Sequence, residues 1–306
     1  MLNKNKVENQ NKKSEFLIEF KDYLDSIGKN IVMLFASSFK SLRTYLIAFL
    51  IPIGFLLMLM LYQTHSGLNQ IRIAQLIGYS LIPCFFVIFL INLTIAEWKS
   101  SVFLKRIHTS GVSKRNFFIS SIIFGLITGI LMYCVGLFFI YIIGIVFIRD
   151  PLDSSINLSY AWRLLSFESW LSIIFGMILT NLVSILCGII FSGICKSVSL
   201  SQSISILFVA YAIVFSDNFL NPMTIAVSKN LVLFSYLNPF KHTVWTSYLL
   251  GCRYNGVFIK NWIFDGSTNR LEMSFGLKPY IPPLTSILYI ALLSFLGLYS
   301  FKWNNR

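Results

Sequence analysis

The chain has 306 residues, of which 56% are hydrophobic and 12% charged, and its mean hydropathy is +0.73. So much apolar surface, with 29 phenylalanines in it, cannot be hidden behind the polar shell of one soluble domain. The net charge of +13 falls mostly in segments between apolar runs, so it bears on membrane orientation and is no sign of nucleic-acid binding.

Residues 1–13 are basic, Asn-rich and expected to be disordered. Over 14–43, Phe16, Phe20, Tyr23, Leu24, Ile27, Ile31 and Leu34 recur at helical spacing, with Glu15, Glu19, Asp22 and Lys29 among the polar positions. This predicts an amphipathic helix lying in the inner membrane interface, or else one offering its apolar face to a partner. The basic head leads through an amphipathic stretch into a full-length span without a small-residue cleavage site, so it does not read as a secretory signal.

Six apolar runs follow, at 44–62, 73–96, 117–148, 169–195, 201–216 and 284–301. Crossing a hydrocarbon core of about 30 Å takes roughly 20 residues of helix, and backbone groups in lipid must find partners within their own segment. The reading is an all-α polytopic membrane protein with six transmembrane helices. Its fifth run covers only about 24 Å and is expected to stop short of the outer surface.

Lys and Arg set the orientation. With the N-terminus inside, the inner segments carry sixteen and the two short outer loops only Arg72, Arg149 and Arg163. The chain therefore reads as a multi-pass protein of the cell membrane with both termini cytoplasmic.

Between the fifth and sixth runs, Asn238-Pro239 has the pattern of a helix start and Gly251 that of a stop. A twelve-residue helix cannot cross, so 222–251 is read as outer re-entrant helices. Residues 252–283 form an extracellular loop with a turn near Asp265-Gly266. Cys252 is expected to face outward, and Cys84, Cys134, Cys187 and Cys195 lie within spans.

No phosphate-binding loop, zinc-binding helix or nucleophile elbow is present, and no cofactor, metal site or catalytic residue is expected in this chain. His65, His108 and His242 are scattered and read as surface residues. The first four spans and the last have no charge at their centres, which disfavours proton-driven transport. Polar positions do occur at Asn92, Thr94, Thr180, Asn181 and Ser184, and Ser201, Ser205, Ala212 and Ser216 fall along one side of the fifth span. Two readings remain open for them: close helix packing, as at Gly125-x-x-x-Gly129, or a translocation surface.

The stretch AEWKSSVFLKRIHTSGVSKRNFF (96–118) concentrates charge. Glu97 stands where the second span ends, and Trp98, Val102, Phe103 and Ile107 recur at helical spacing beside Lys99, Lys105 and Arg106, up to Gly111. An ordinary positive-inside loop accounts for the charge. It has no need of apolar residues between the charges, and those suggest a partner.

In this order of features the chain resembles the membrane subunits of ABC transporters of the ABC-2 type. The likeness rests on the amphipathic segment before six spans, Glu97 closing the second, and the L-K-R-I (104–107) and T-S-G-V-S-K-R (109–115) runs. Pro52 in the first span and the S-Y-L-N-P-F run at 235–240 add to it. Ser100-Ser101 and Gly111 depart from the Gly and Pro that members often carry there.

The resemblance implies a permease half that pairs with a second half, the same chain or a homologue. Each half docks a separate ABC ATPase, which binds ATP and Mg. It implies a cytoplasmic coupling loop over 97–116, with Glu97, Phe103, Leu104, Lys105, Arg106 and Ile107 in contact with that ATPase. It also implies a path lined from the first, second and fifth spans (Asn92, Thr94, Ser201, Ser205, Phe208, Ala212) and an outer gate at Asn238, Pro239 and Phe240. Aromatic abundance suggests an amphipathic cargo such as a peptide, lipid-linked glycan or drug. The rival reading is a stand-alone immunity or sensor protein of the membrane that acts by binding and needs no ATPase.

Overall fold

Every regular element among the described residues is helical, as lipid requires of a chain whose backbone must satisfy itself. The computed structural model describes residues 21, 23–65, 73–101, 103–147, 165–219, 225, 228–254 and 274–301. The expected disordered head, the outer turn near Asp265 and Arg72, Arg149 and Arg163 lie outside them.

Helix α1 covers 23–38. The first span is α2 (Leu42–Tyr45), a π turn (Leu46–Leu50) and α3 (Ile51–His65). Pro52 explains the π turn: proline donates no backbone bond and crowds the carbonyl four residues earlier, at Ala48, and a wider turn relieves both. The second span is α4 (Ile73–Phe85) and α5 (Val87–Ser100), interrupted at Phe86 just after Pro83. A Cβ at Gly136 would lie 2.5 Å from the Pro83 ring, so glycine is what lets the bend seat against its neighbour.

Next come α6 (Phe103–Thr109), α7 (Lys114–Phe147), α8 (Phe167–Ile194), α9 (Val198–Phe215), α10 (Lys229–Ser235), α11 (Pro239–Tyr254) and α12 (Ile281–Ser300). Six helices are long and apolar enough to span a membrane: Leu42–Tyr62, Leu76–Ser100, Lys114–Ile143, Phe167–Ile194, Val198–Phe215 and Ile281–Ser300. These are the six runs expected. The second and fourth form the centre, 94% and 78% buried, while the sixth, at 17%, is a peripheral helix with Leu284, Ile287, Leu288, Leu292 and Phe295 turned outward.

One end of the bundle gathers both ends of the described chain. Asn116 Nδ2 donates to Ser26 Oγ of α1 (2.8 Å), and Phe301, just past α12, stacks on Phe117 at 5.4 Å. Arg43 of α2 meets Gln202 of α9 (2.6 Å) at this same end, as does Lys99 of α5 the end of α8. An even number of crossings requires this arrangement.

At the opposite end α10 and α11 form a hairpin that dips into the bundle. The pairs Thr180–Thr243 (3.0 Å), Gly176 against Ser247, and Ser169 Oγ to the Gly251 carbonyl (2.8 Å) run antiparallel along α8. Thr180 lies about 20 Å into α8, so α11 begins in mid-bundle and climbs back to the end where α8 starts. Within the described part of 222–251, α11 thus enters the bundle without running its length.

Three expectations are corrected. Gly251 does not stop α11, which runs to Tyr254, because packing on α8, α4 and α12 sustains the helix where propensity would end it. Cys252, expected to be accessible from outside, is 1% exposed in the core. Helix α1 docks on the bundle through Ile27, Asn30, Leu34 and Ser38, whereas Leu24 is half exposed. Its buried stripe is rotated relative to the predicted one: Asn30 and Ser38 turn inward, Ser38 Oγ meeting Thr94 Oγ1 of α5 at 2.9 Å. Phe16 and Phe20 lie outside the described residues.

Candidate functional site

At the end of the bundle that gathers both ends of the described chain, α5 continues to Ser100, so the amphipathic helix expected from Glu97 begins only at Phe103. Gly111, at φ +90°, ends the loop in the left-handed region that glycine enters freely. Glu97 pairs with Arg43 at 3.7 Å, both side chains half exposed, and Arg43 also donates to Gln202. The first, second and fifth spans thus share one polar junction.

The expectation that Phe103, Leu104 and Ile107 present an apolar surface to a partner is corrected. Leu104 is 0% and Ile107 6% exposed, both in the core, and Phe103 is half-buried edge-on against Trp98 at 5.0 Å. A seven-residue helix is unstable alone and keeps its place by burying its own apolar side. What faces outward is Lys105, Arg106, His108 and Thr109.

Lys99, expected on the polar face of that helix, is buried. Its ammonium donates to the carbonyls of Ser192 (3.1 Å), Gly193 (3.0 Å) and Cys195 (3.1 Å), the unsatisfied acceptors at the end of α8. Sequence reading missed this, since a lysine between a span and a basic loop resembles every other inner lysine.

In the middle of the bundle the polar positions are brought together. Asn92 Nδ2 donates to the Ser201 carbonyl (2.9 Å) and to Ser205 Oγ (2.6 Å), while Ser201 Oγ donates to Asn92 Oδ1. Thr94 Oγ1 donates to the Leu90 carbonyl (2.8 Å) and lies 2.9 Å from Ser38 Oγ of α1. All of these side chains are buried, so in this conformation they seal the seam between α5 and α9. Phe208 is half-buried, 5.1 Å from Phe191 and 6.1 Å from Phe240, and the Ala212 carbonyl accepts from Asn238. Gly125 and Gly129 admit Ile185 and Asn181 of α8, close packing as expected.

At the hairpin tip the cap on α11 is as predicted: Asn238 Oδ1 accepts from the Phe240 N–H (3.1 Å), and Asn238 Nδ2 donates to the Ala212 carbonyl (2.9 Å). Phe240 is fully buried 4.4 Å from Phe85. The sequence reading passed over the pair beside them. Lys241 Nζ lies 3.1 Å from Asp217 Oδ2, with both side chains 0% exposed, and the Trp245 indole donates to the same carboxylate oxygen. Lys241 also donates to Ser235 Oγ (2.6 Å) and sits 5.3 Å from the Tyr236 ring, and the Tyr248 hydroxyl donates to Asn218 (2.7 Å). The available signal was two lone opposite charges, each embedded in an apolar run. Asp217 takes φ +65°, which aspartate tolerates better than most residues.

His242, expected at the surface, is instead 5% exposed and lies between Thr285 Oγ1 (2.8 Å) and the Tyr236 carbonyl (3.0 Å). His108 is exposed as expected. Among the described residues no group of His, Cys, Asp and Glu could hold a metal ion.

No protein-family model matches the chain, and no curated protein matches it.

Proposed function

We propose that the chain is the permease half of an ATP-driven exporter of the ABC-2 type, docking a separate ABC ATPase at its inner end. The observation that carries this reading is α6: a short helix anchored in the core by Leu104 and Ile107, turning Lys105, Arg106, His108 and Thr109 outward beside the end of α5. A loop serving only membrane orientation needs no such folded, inwardly anchored helix. The hairpin of α10 and α11, which enters the bundle opposite α6 and is held by buried polar contacts, adds the outer element that such a permease needs.

In this reading ATP and Mg bind the ATPase, and closure of two ATPases displaces the two α6 helices. A second permease half completes the path, and the cargo is amphipathic. The sealed seam of Asn92, Ser201 and Ser205 is then the closed state of a path that opens when α5 and α9 part. The exposed face of α6 is charged, so docking there is expected to be sensitive to salt.

Purification of the tagged chain from its host in mild detergent is expected to bring down an ABC ATPase, with recovery falling as salt is raised. Recovery of the intact chain with no nucleotide-hydrolysing protein, at low salt and after gentle cross-linking, would count against the reading.

A further inference from the structure

Of the three spans that share the polar junction with Glu97, two are interrupted in mid-course, the first by the π turn before Pro52 and the second at Phe86 after Pro83; the fifth, α9, is unbroken and meets the hairpin at the Ala212 carbonyl. Neither interrupted span is a stiff connection from one end of the bundle to the other. Helix α8 is different. It runs unbroken from Phe167 to Ile194 and contains no proline. Its glycines are points of contact and not hinges: a Cβ at Gly176 would strike Ser247, one at Gly188 Ile91 and the Ile88 carbonyl, and one at Gly193 the Ser300 backbone.

The two ends of α8 are held by different parts of the molecule. At the inner end Lys99 grips three of its terminal carbonyls from α5, two residues before the turn into α6. At the outer end Ser169 Oγ donates to the Gly251 carbonyl, and Thr180 bonds Thr243 lower on α11. From Ser169 to Cys195 is about 39 Å of helix. Helices α7, α9 and α12 are also unbroken; α7 packs on α4 and α8, while α9 and α12 meet α11 over a smaller face than α8 does.

We propose that Lys99 is a positioning residue that locks the inner end of α8 to the α5–α6 junction, so that a shift of that junction is carried along α8 to the re-entrant helix α11. A buried ammonium on three carbonyls suits this task. Moving α5 without α8 would take three carbonyl acceptors from a buried charge in a poorly solvated site, so the two ends move together. The inference concerns this chain alone and deepens the permease reading by naming the route from the docking helix to the outer hairpin.

Native thiols report on both ends: Cys195 caps the inner end of α8, Cys252 lies on α11, and both are buried. Purified full-length chain in lipid nanodiscs is treated with N-ethylmaleimide, and the rate at each cysteine is followed by peptide mass spectrometry. Lys99→Met is expected to raise the rates at Cys195 and Cys252 together, by at least about threefold, through more frequent local opening. Cys187 in mid-helix should stay slow, and Lys105→Ala should move none of them.

Lys99→Arg keeps donors for the same carbonyls and should show a smaller rise in the same order. It also covers a failure of the methionine variant to fold. A rise at Cys195 with Cys252 unchanged would overturn the proposal by confining Lys99 to a local cap. No change at either thiol would show that Lys99 does not hold α8. Since no ATPase enters the measurement, failure of the permease reading would leave this result intact.

Discussion

Replacing Lys241 by Met, with Asp217 left in place, is expected to destabilise the chain by about 3 to 5 kcal/mol, because a carboxylate fully enclosed by protein loses its counter-charge. Among the described residues the Trp245 indole would remain on it. Asp217→Asn should be nearly as harmful, stranding the ammonium on Ser235 Oγ and the Tyr236 ring. The double change to Asp217→Leu with Lys241→Met removes both charges and should recover a large part of the loss, since an apolar pair of similar volume avoids desolvation altogether. Thermal unfolding of the detergent-solubilised proteins measures all three. A double variant worse than either single variant would show that the charges serve something other than each other. Asp217 follows α9 and Lys241 opens α11, so failure of the pair should be felt first as detachment of the hairpin from the fifth span.

Alanine at Leu104 or Ile107 is expected to cost about 2 to 5 kcal/mol each, the range for large-to-small changes in a core. The double variant Lys105→Ala with Arg106→Ala should stay within about 0.5 kcal/mol of the parent, because both side chains are exposed. If docking is the function of α6, the stable basic double variant is the one that loses a partner. The apolar variants lose it only in proportion to their unfolding. An apolar docking surface predicts the reverse: undisturbed stability and lost binding at Leu104 and Ile107.

That contrast shows where sequence reasoning reaches its limit. The spacing of Trp98, Val102, Phe103 and Ile107 announces an apolar side, of which Phe103 and Ile107 fall on α6, but periodicity cannot say whether that side meets a partner or the chain's own core. The same ambiguity rotated α1, where Asn30 and Ser38 face the bundle and Leu24 does not. Signals carried by covalent geometry or length survived intact: the six spans, the Asn238-Pro239 cap, Gly111 at the end of its loop, and the close packing at Gly125 and Gly129. Lys99 and the Asp217–Lys241 pair were illegible for another reason. Lys99 meets carbonyls more than 90 positions away and Lys241 meets its counter-charge 24 positions away, and pairing at that range is decided by tertiary packing. The polar row of Asn92, Ser201 and Ser205 was visible in the sequence, and the structure adds that its members face one another across one seam.

The most direct test of an ATPase-dependent permease is capture at α6 itself. A photo-crosslinking amino acid placed at His108, which is exposed and sits between the basic pair and Gly111, is activated in the host membrane, and the adducts are identified by mass spectrometry. The expected result is one dominant adduct with an ABC ATPase, lost when Lys105→Glu and Arg106→Glu are introduced together and kept when the crosslinker-bearing chain is otherwise unchanged. A folded, membrane-inserted chain whose position 108 yields adducts only with lipid or with proteins that hydrolyse no nucleotide would contradict it.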